Sequence, residues 1–182
     1  MDKIQELTFI TGNENKAKYI ADYFHIPVRH KKLDLPEIQS LSPREIVEDK
    51  ARRAFREIGT PVLVEDVSLV FNALGGLPGP FIKWFESSLG YDGMCRLLNG
   101  YEDRSAAATV TYGLCDGKGV HIFEGRMNGH ISLAPKGEET FGWDVIFIHE
   151  GEEKTRSELS REEWSKKSMR TEALQKLGEF LK

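Results

Sequence analysis

Between Ser42 and Asp66 the chain marks out a helix with both ends signed, a sharp stop and an unbroken apolar strand, and no other segment limits the available folds as much. Ser42-Pro43-Arg44-Glu45 combines a capping hydroxyl, a proline at the first helical position and a glutamate three residues after the cap. Val47, Ala51, Ala54, Phe55 and Ile58 then recur at three- and four-residue steps until Gly59-Thr60-Pro61 ends the helix. Val62-Leu63-Val64 has no polar alternate, which predicts a strand covered on both faces, as in a sheet with helices on each side. Glu65-Asp66 follows, at the predicted carboxyl end of that strand, where open α/β sheets place their ligands.

The rest of the chain repeats the alternation of elements. Leu7-Thr8-Phe9-Ile10-Thr11 reads as a strand, Gly12-Asn13 as a tight turn, and Ala17, Ile20 and Phe24 as one face of a helix. Beyond a Gly/Pro-rich segment, Tyr91 to Leu98 predicts a short helix closed by Asn99-Gly100. Ala107 to Leu114 alternates, with Val110, Tyr112 and Leu114 opposite Thr109 and Thr111, and Asp116-Gly117-Lys118-Gly119 turns it into Val120-His121-Ile122-Phe123 as a hairpin. Phe141 to Ile148 predicts a further strand. Ser160-Arg161-Glu162-Glu163 is a second capping box, and Ala173, Leu174, Leu177 and Leu181 stripe the last helix. This order predicts an α/β fold, a long twisted mixed sheet flanked by helices. No repeat or low-complexity linker interrupts it, so residues 1–182 are expected to form a single domain.

Composition narrows the function classes. The net charge of −4 argues against a broad basic surface for nucleic acid, although a small anion needs only a local basic pocket. The most polar-poor stretch, Val67 to Ile82, is broken by Asn72 and several Gly and Pro residues and falls short of the ~20 apolar residues of a spanning helix. Met1-Asp2-Lys3-Ile4-Gln5-Glu6 lacks the pattern of a secretory signal. Cys95 and Cys115 have no ligand-like spacing and suggest a reducing cytosol. The expectation is a cytoplasmic protein with neither a membrane nor a nucleic-acid partner.

Several segments could carry chemistry, and each also has a bland reading. Thr11-Gly12-Asn13-Glu14-Asn15-Lys16 opens a helix with free N–H groups and a lysine, which suits a phosphate, but it is not a Walker A loop and is equally a capped turn. Lys50 falls inside the apolar arc of its helix, between Ile46 and Ala54, where it either serves a site or snorkels past the core rim. Carboxylates at a strand end beside a phosphate site suggest Mg²⁺, which is usually held by few protein oxygens, water and substrate phosphates. Glu37, in Leu35-Pro36-Glu37-Ile38, reads alone as a surface acid. Gly75 to Phe85 is either a buried hairpin or a rigid loop presenting Lys83. Phe141-Gly142-Trp143-Asp144 is either core or an aromatic face beside a carboxylate, as a purine pocket requires.

Taken in order, Thr11-Gly12-Asn13-x-x-Lys16, Leu35-Pro36-Glu37, Val64-Glu65-Asp66, Gly79-Pro80-Phe81-Ile82-Lys83-Trp84-Phe85 and Phe141-Gly142-Trp143-Asp144 resemble the inosine/xanthosine triphosphate pyrophosphatase family over nearly the whole chain. The resemblance implies a homodimeric α/β protein of two lobes with the active-site cleft between them. It implies hydrolysis of ITP, dITP and XTP to the monophosphate and pyrophosphate, cleansing the nucleotide pool. Thr11, Asn13, Lys16, Lys50 and Lys83 would bind the triphosphate, Lys16 and Lys50 also assisting catalysis. Glu37 and Asp66 would hold Mg²⁺, and Asp66 would activate the water. Phe141, Trp143, Asp144, Ser168 and Arg170 would enclose the base.

The chain departs from the family pattern where the base is read. The family's Ser-His-Arg is here Ser168-Met169-Arg170, the lysine four residues earlier is Trp164, the residue after Glu65-Asp66 is Val67, and the proline after Trp143-Asp144 is Val145. A missing histidine donor predicts altered base selectivity, because polar contacts set discrimination among bases. Two other readings follow: a member acting on another or modified nucleotide, and a silent nucleotide-binding paralogue. The retained Lys16, Lys50, Asp66 and Lys83 argue against the second.

Overall fold

The structure, a computed structural model, describes residues 7–24, 27–138, 142–160, 162–163 and 168–181. Among these, four helices are α1 (Glu14–Phe24), α2 (Pro43–Ile58), α3 (Ile82–Arg96) and α4 (Met169–Leu181). The strands are β1 (Leu7–Ile10), β2 (Val28–Lys31), β3 (Val62–Phe71), β4 (Pro78–Gly79), β5 (Ser105–Cys115), β6 (Val120–Ile131) and β7 (Phe147–His149). They form one sheet in the order β2-β1-β3-β5-β6-β7, with β4 paired to β3 beside this path. β1 is parallel to β2 and β3, whereas β4 is antiparallel to β3 and β7 to β6. The sheet is mixed and flanked by helices, as the alternation of elements predicts.

The chain forms two compact units. The first holds the chain up to Asp66, Val110–Glu124 and the residues from Glu172 on; the second holds Val67–Thr109 and Gly125–Thr171. In the first, Ile10, Val47, Ala51, Ala54, Val62 and Val64 make one buried cluster. Each fully buried Val or Ile contributes about 1.5–3 kcal/mol relative to exposure. Helix α2 lies close on this core: a Cβ at Gly113 would come within 3.1 Å of the Val47 carbonyl oxygen and 3.3 Å of Val64 Cγ2. In the second unit, Arg104 satisfies three carbonyls at once, donating from Nε to Ile131 and from Nη2 to Cys95 and Ser132 at 2.7–3.0 Å.

Helix α2 is bounded as its sequence indicates. Ser42 accepts from the Glu45 N–H, and Gly59, with φ 76°, returns its N–H to the Phe55 carbonyl. The capping box closes through a relay: the Glu45 carboxylate takes the Ser40 hydroxyl at 2.7 Å, and Ser40 Oγ accepts the Ser42 N–H at 3.0 Å. In the 115–120 hairpin, Asp116 Oδ1 accepts the N–H groups of Lys118 and Gly119. Ser160 and Glu163 exchange both hydrogen bonds of the second capping box.

Four expectations are corrected. Strand β3 does not end at Val64 but continues for ten residues, so Glu65 and Asp66 sit in mid-strand. It has β5 as its neighbour on one side, while on the other β1 pairs with Val62 and Leu63 and β4 takes over at Leu69 and Val70. Helix α3 begins at Ile82, not Tyr91, with a break at Gly90 (φ 62°, ψ 175°) that hides its continuity from a periodicity reading. Residues 142–145 form a 3-10 turn ahead of the three-residue β7, because Gly142 adopts φ 50°, outside the extended region. Thr111 is buried alongside Val110 and Tyr112, so this part of β5 is covered on both faces.

Candidate active site

The first unit holds the residues proposed for phosphate and metal except Lys83, which belongs to the second. Thr11 follows β1, and its hydroxyl accepts the Asn13 N–H at 3.1 Å; the Asn13 carbonyl then accepts the Lys16 N–H, opening α1. In register, β1 Thr8 faces Val62 and Phe9 faces Leu63. The two strands run parallel, so Thr11 and Glu65 leave the pairing at the same end although β3 runs on. Lys16 Nζ reaches Glu65 Oε1 at 2.8 Å, with the Glu65 side chain only 5 % exposed. Lys50, on α2, reaches Glu37 Oε1 at 2.8 Å. Lys50 is thus paired with Glu37, an acid proposed for the metal, its own side chain 23 % exposed.

Asp66 stands apart from these two pairs. Its Oδ2 is buried and accepts no hydrogen bond. Burial pushes its pKa up to about 7, Lys50 and Lys16 pull it down, and Glu37 and Glu65 push it further up. A carboxylate so placed favours a proton or a cation.

The second unit holds the residues proposed for the base. Trp143 is buried and meets Phe147 edge-on at a centroid distance of 5.5 Å. Asp144 accepts from Arg156 Nε at 3.0 Å, both side chains being mostly buried. Burial raises the Asp144 pKa, against the opposing pull of Arg156 and Arg170. Ser168 caps α4 by accepting the Arg170 N–H at 3.2 Å. Pro78 and Gly79, both buried, pair antiparallel with β3 as the hairpin reading expects, and Lys83 lies exposed beyond them in the first turn of α3. Phe141 and Trp164 lie outside the described residues.

Helix α4 begins at Met169, which is 5 % exposed and continues into the buried Ala173, Leu174 and Leu177. A model of the Ham1 family matches residues 7–180. The chain belongs to the Ham1 family. An inosine triphosphate pyrophosphatase of Pyricularia oryzae is 46 % identical over 175 residues, covering 94 % of this chain and 90 % of the relative. One from Tuber melanosporum is 44 % identical over 182 residues, covering 97 % of each. The Staphylococcus aureus Ham1 protein has the same fold, with a TM-score of 0.85 at 23 % identity and 97 % coverage of both chains.

Two partners in this Ham1 chain escape a sequence reading. Glu65 holds Lys16 from 49 positions away, and Arg156 holds Asp144 from 12. Neither spacing carries a periodic signal. The one available clue to Arg156 was chemical, since a carboxylate beside a buried tryptophan needs a cation.

Proposed function

We propose that this Ham1-family protein hydrolyses non-standard purine nucleoside triphosphates such as ITP, dITP and XTP to the monophosphate and pyrophosphate, using Mg²⁺. The relatives named above support the reaction. The observation that carries it is Asp66, a buried acid with one unpartnered oxygen, electrostatically coupled to two lysine–carboxylate pairs. The donors suit a hard divalent cation: Asp66 and Glu37 offer oxygens only, and Mg²⁺ takes the rest of its shell from water and phosphate.

Hydrolysis breaks the anhydride between the α- and β-phosphates, and the attacking water loses a proton as charge spreads over the phosphate oxygens. Asp66 is the proton acceptor, poised near neutrality by burial. A bound Mg²⁺ supplies Lewis-acid stabilisation of the phosphate oxygens. Lys16 and Lys50 exchange their carboxylate partners for phosphate oxygens, so the chain enters the reaction with both ammonium groups already oriented. Thr11, Asn13 and Lys83 complete the triphosphate contacts, while Trp143, Asp144, Ser168 and Arg170 surround the base.

Pyrophosphate release from ITP, XTP, GTP and ATP with Mg²⁺ tests the proposal; release confined to ATP, or absent from all four, rejects it. The same reading carries a cytoplasmic homodimer. Sedimentation at twice the 20.7 kDa chain mass is the expected result, and a monomer at micromolar concentration contradicts it.

Met169 serves packing in this reading, leaving base recognition to Asp144 and Arg170. Met169→His is expected to lower the thermal midpoint by about 2 to 8 °C, the cost of burying an imidazole, with base preference little altered. A large change in the ITP-to-ATP ratio without loss of stability would return the position to the base pocket.

A further inference from the structure

We propose that Arg156 is a positioning residue for base selection: it holds one oxygen of Asp144 and leaves the other to accept from a nucleobase N–H, so the pocket favours purines that carry hydrogen on N1. The inference rests on the reading of the second unit as the base pocket.

The geometry is specific. Arg156 Nε donates to Asp144 Oδ1 at 3.0 Å, with side-chain exposures of 9 % and 16 %, and Arg156 Nη1 lies 3.3 Å from Met127 Sδ. No second hydrogen bond to Asp144 forms among the described residues, so Oδ2 stays available. The charged groups acting on Asp144 are Arg156 in contact and Arg170 at longer range, both cationic; Met127 is neutral. Burial alone would favour the neutral acid, and the contact with Arg156 is the strongest influence against it. Arg156 therefore fixes which way the carboxylate turns and favours its charged form against burial.

That charge is a filter. Hypoxanthine, xanthine and guanine have an N1–H, which forms a charge-assisted bond to a carboxylate, roughly twice as strong as a neutral one. Adenine presents a bare N1 lone pair that the same carboxylate repels, and its burial against an unmatched group is costly. A protonated Asp144 would reverse this by donating to adenine N1. The device explains rejection of adenine and not of guanine, so ITP, XTP and GTP are expected to respond alike to its removal.

The experiment measures kcat and KM for ITP, XTP, GTP and ATP from pH 6 to 9 in the native chain, Arg156→Gln and Arg156→Lys. Arg156→Gln is expected to lower kcat/KM for the three N1–H purines by about 10- to 100-fold, mainly through KM, while ATP changes less than about threefold. The remaining preference for ITP over ATP should shrink as pH falls, because Asp144 protonates more readily without the arginine. Arg156→Lys should restore part of the preference by restoring the charge. An equal loss for all four nucleotides, or a preference independent of pH, would overturn the proposal and leave Arg156 as a brace for its turn. If Arg156→Gln does not fold, Asp144→Asn decides: its amide can face either base, so retention of the native preference would also overturn the proposal. Calorimetric binding of ITP and ATP reads the same preference without turnover. A native chain that prefers ITP in binding but releases no pyrophosphate refutes the proposed reaction and leaves this inference standing.

Discussion

Asp66→Asn is expected to reduce pyrophosphate release by at least about 10²-fold and, in the presence of a chelator at pH 8, to make the protein more stable. The first effect follows from losing the acceptor of the water proton, since general base action commonly contributes 10²- to 10⁴-fold. The second follows from the sign of the Asp66 shift. Burial raises its pKa from 3.8 to about 7 in the folded chain, so folding favours the protonated form. Stability from this group is complete below about pH 4 and is lost as pH rises through 7. At pH 8 the full penalty applies, with a ceiling on the order of 4 kcal/mol. The amide needs partners of its own, so the expected gain is about 1 to 3 kcal/mol, or about 2 to 10 °C in thermal midpoint. Below pH 4 the two proteins should melt alike. Adding Mg²⁺ should stabilise the native chain at pH 8 and leave Asp66→Asn nearly unmoved. A folded Asp66→Asn protein with native turnover, or one less stable than native in chelator at pH 8, contradicts the assignment.

Lys50→Ala should show the opposite economy, with little lost in stability and much in catalysis. Its ion pair with Glu37 leaves the lysine side chain 23 % and the glutamate 52 % exposed, and pairs of that kind are worth about 0–1 kcal/mol. Glu37 can turn to water, and the buried Asp66, which Lys50 helps to keep charged, can take up a proton, so little stability is lost. Removing a donor that meets developing phosphate charge costs about 10²- to 10³-fold in turnover. Lys50 is also the leading charge that counters burial at Asp66, so the acid limb of the kcat/KM profile should move to higher pH. Thermal melting beside the kinetics separates the outcomes. A large drop in midpoint with modest kinetic loss would make the pair a structural one.

Local chemistry made part of this molecule legible in advance. The bounds of α2 could be read because Ser42, Pro43 and Gly59 each impose a backbone state on their own neighbours. The place of Lys50 could be read because helical period maps sequence onto a face. What escaped depended on distant partners: β3 runs on with β5 on one side and, on the other, β4 in place of β1, and no residue between Glu65 and Val70 announces that exchange. Residues 82–90 escaped because exposed Trp84 and Leu89 break any amphipathic stripe on α3. Asp144 was recognised as a candidate from its aromatic neighbour, yet Arg156, which sets its orientation, sits on a separate turn.

The interleaving of the two units has a consequence for biosynthesis. The first unit draws on the chain up to Asp66, on Val110–Glu124 and on the residues from Glu172 onward, so α4 reaches it only after the whole second unit has been made. At about 5–20 residues per second, the nascent first unit lacks Ala173, Leu174 and Leu177 for a few seconds after Glu124 has been made. The apolar surface that these three bury stays open during that interval, and chaperone binding should concentrate on nascent chains that stop short of α4. A stop codon before Met169 should therefore yield an aggregating product, although every residue proposed for phosphate and metal lies upstream of it.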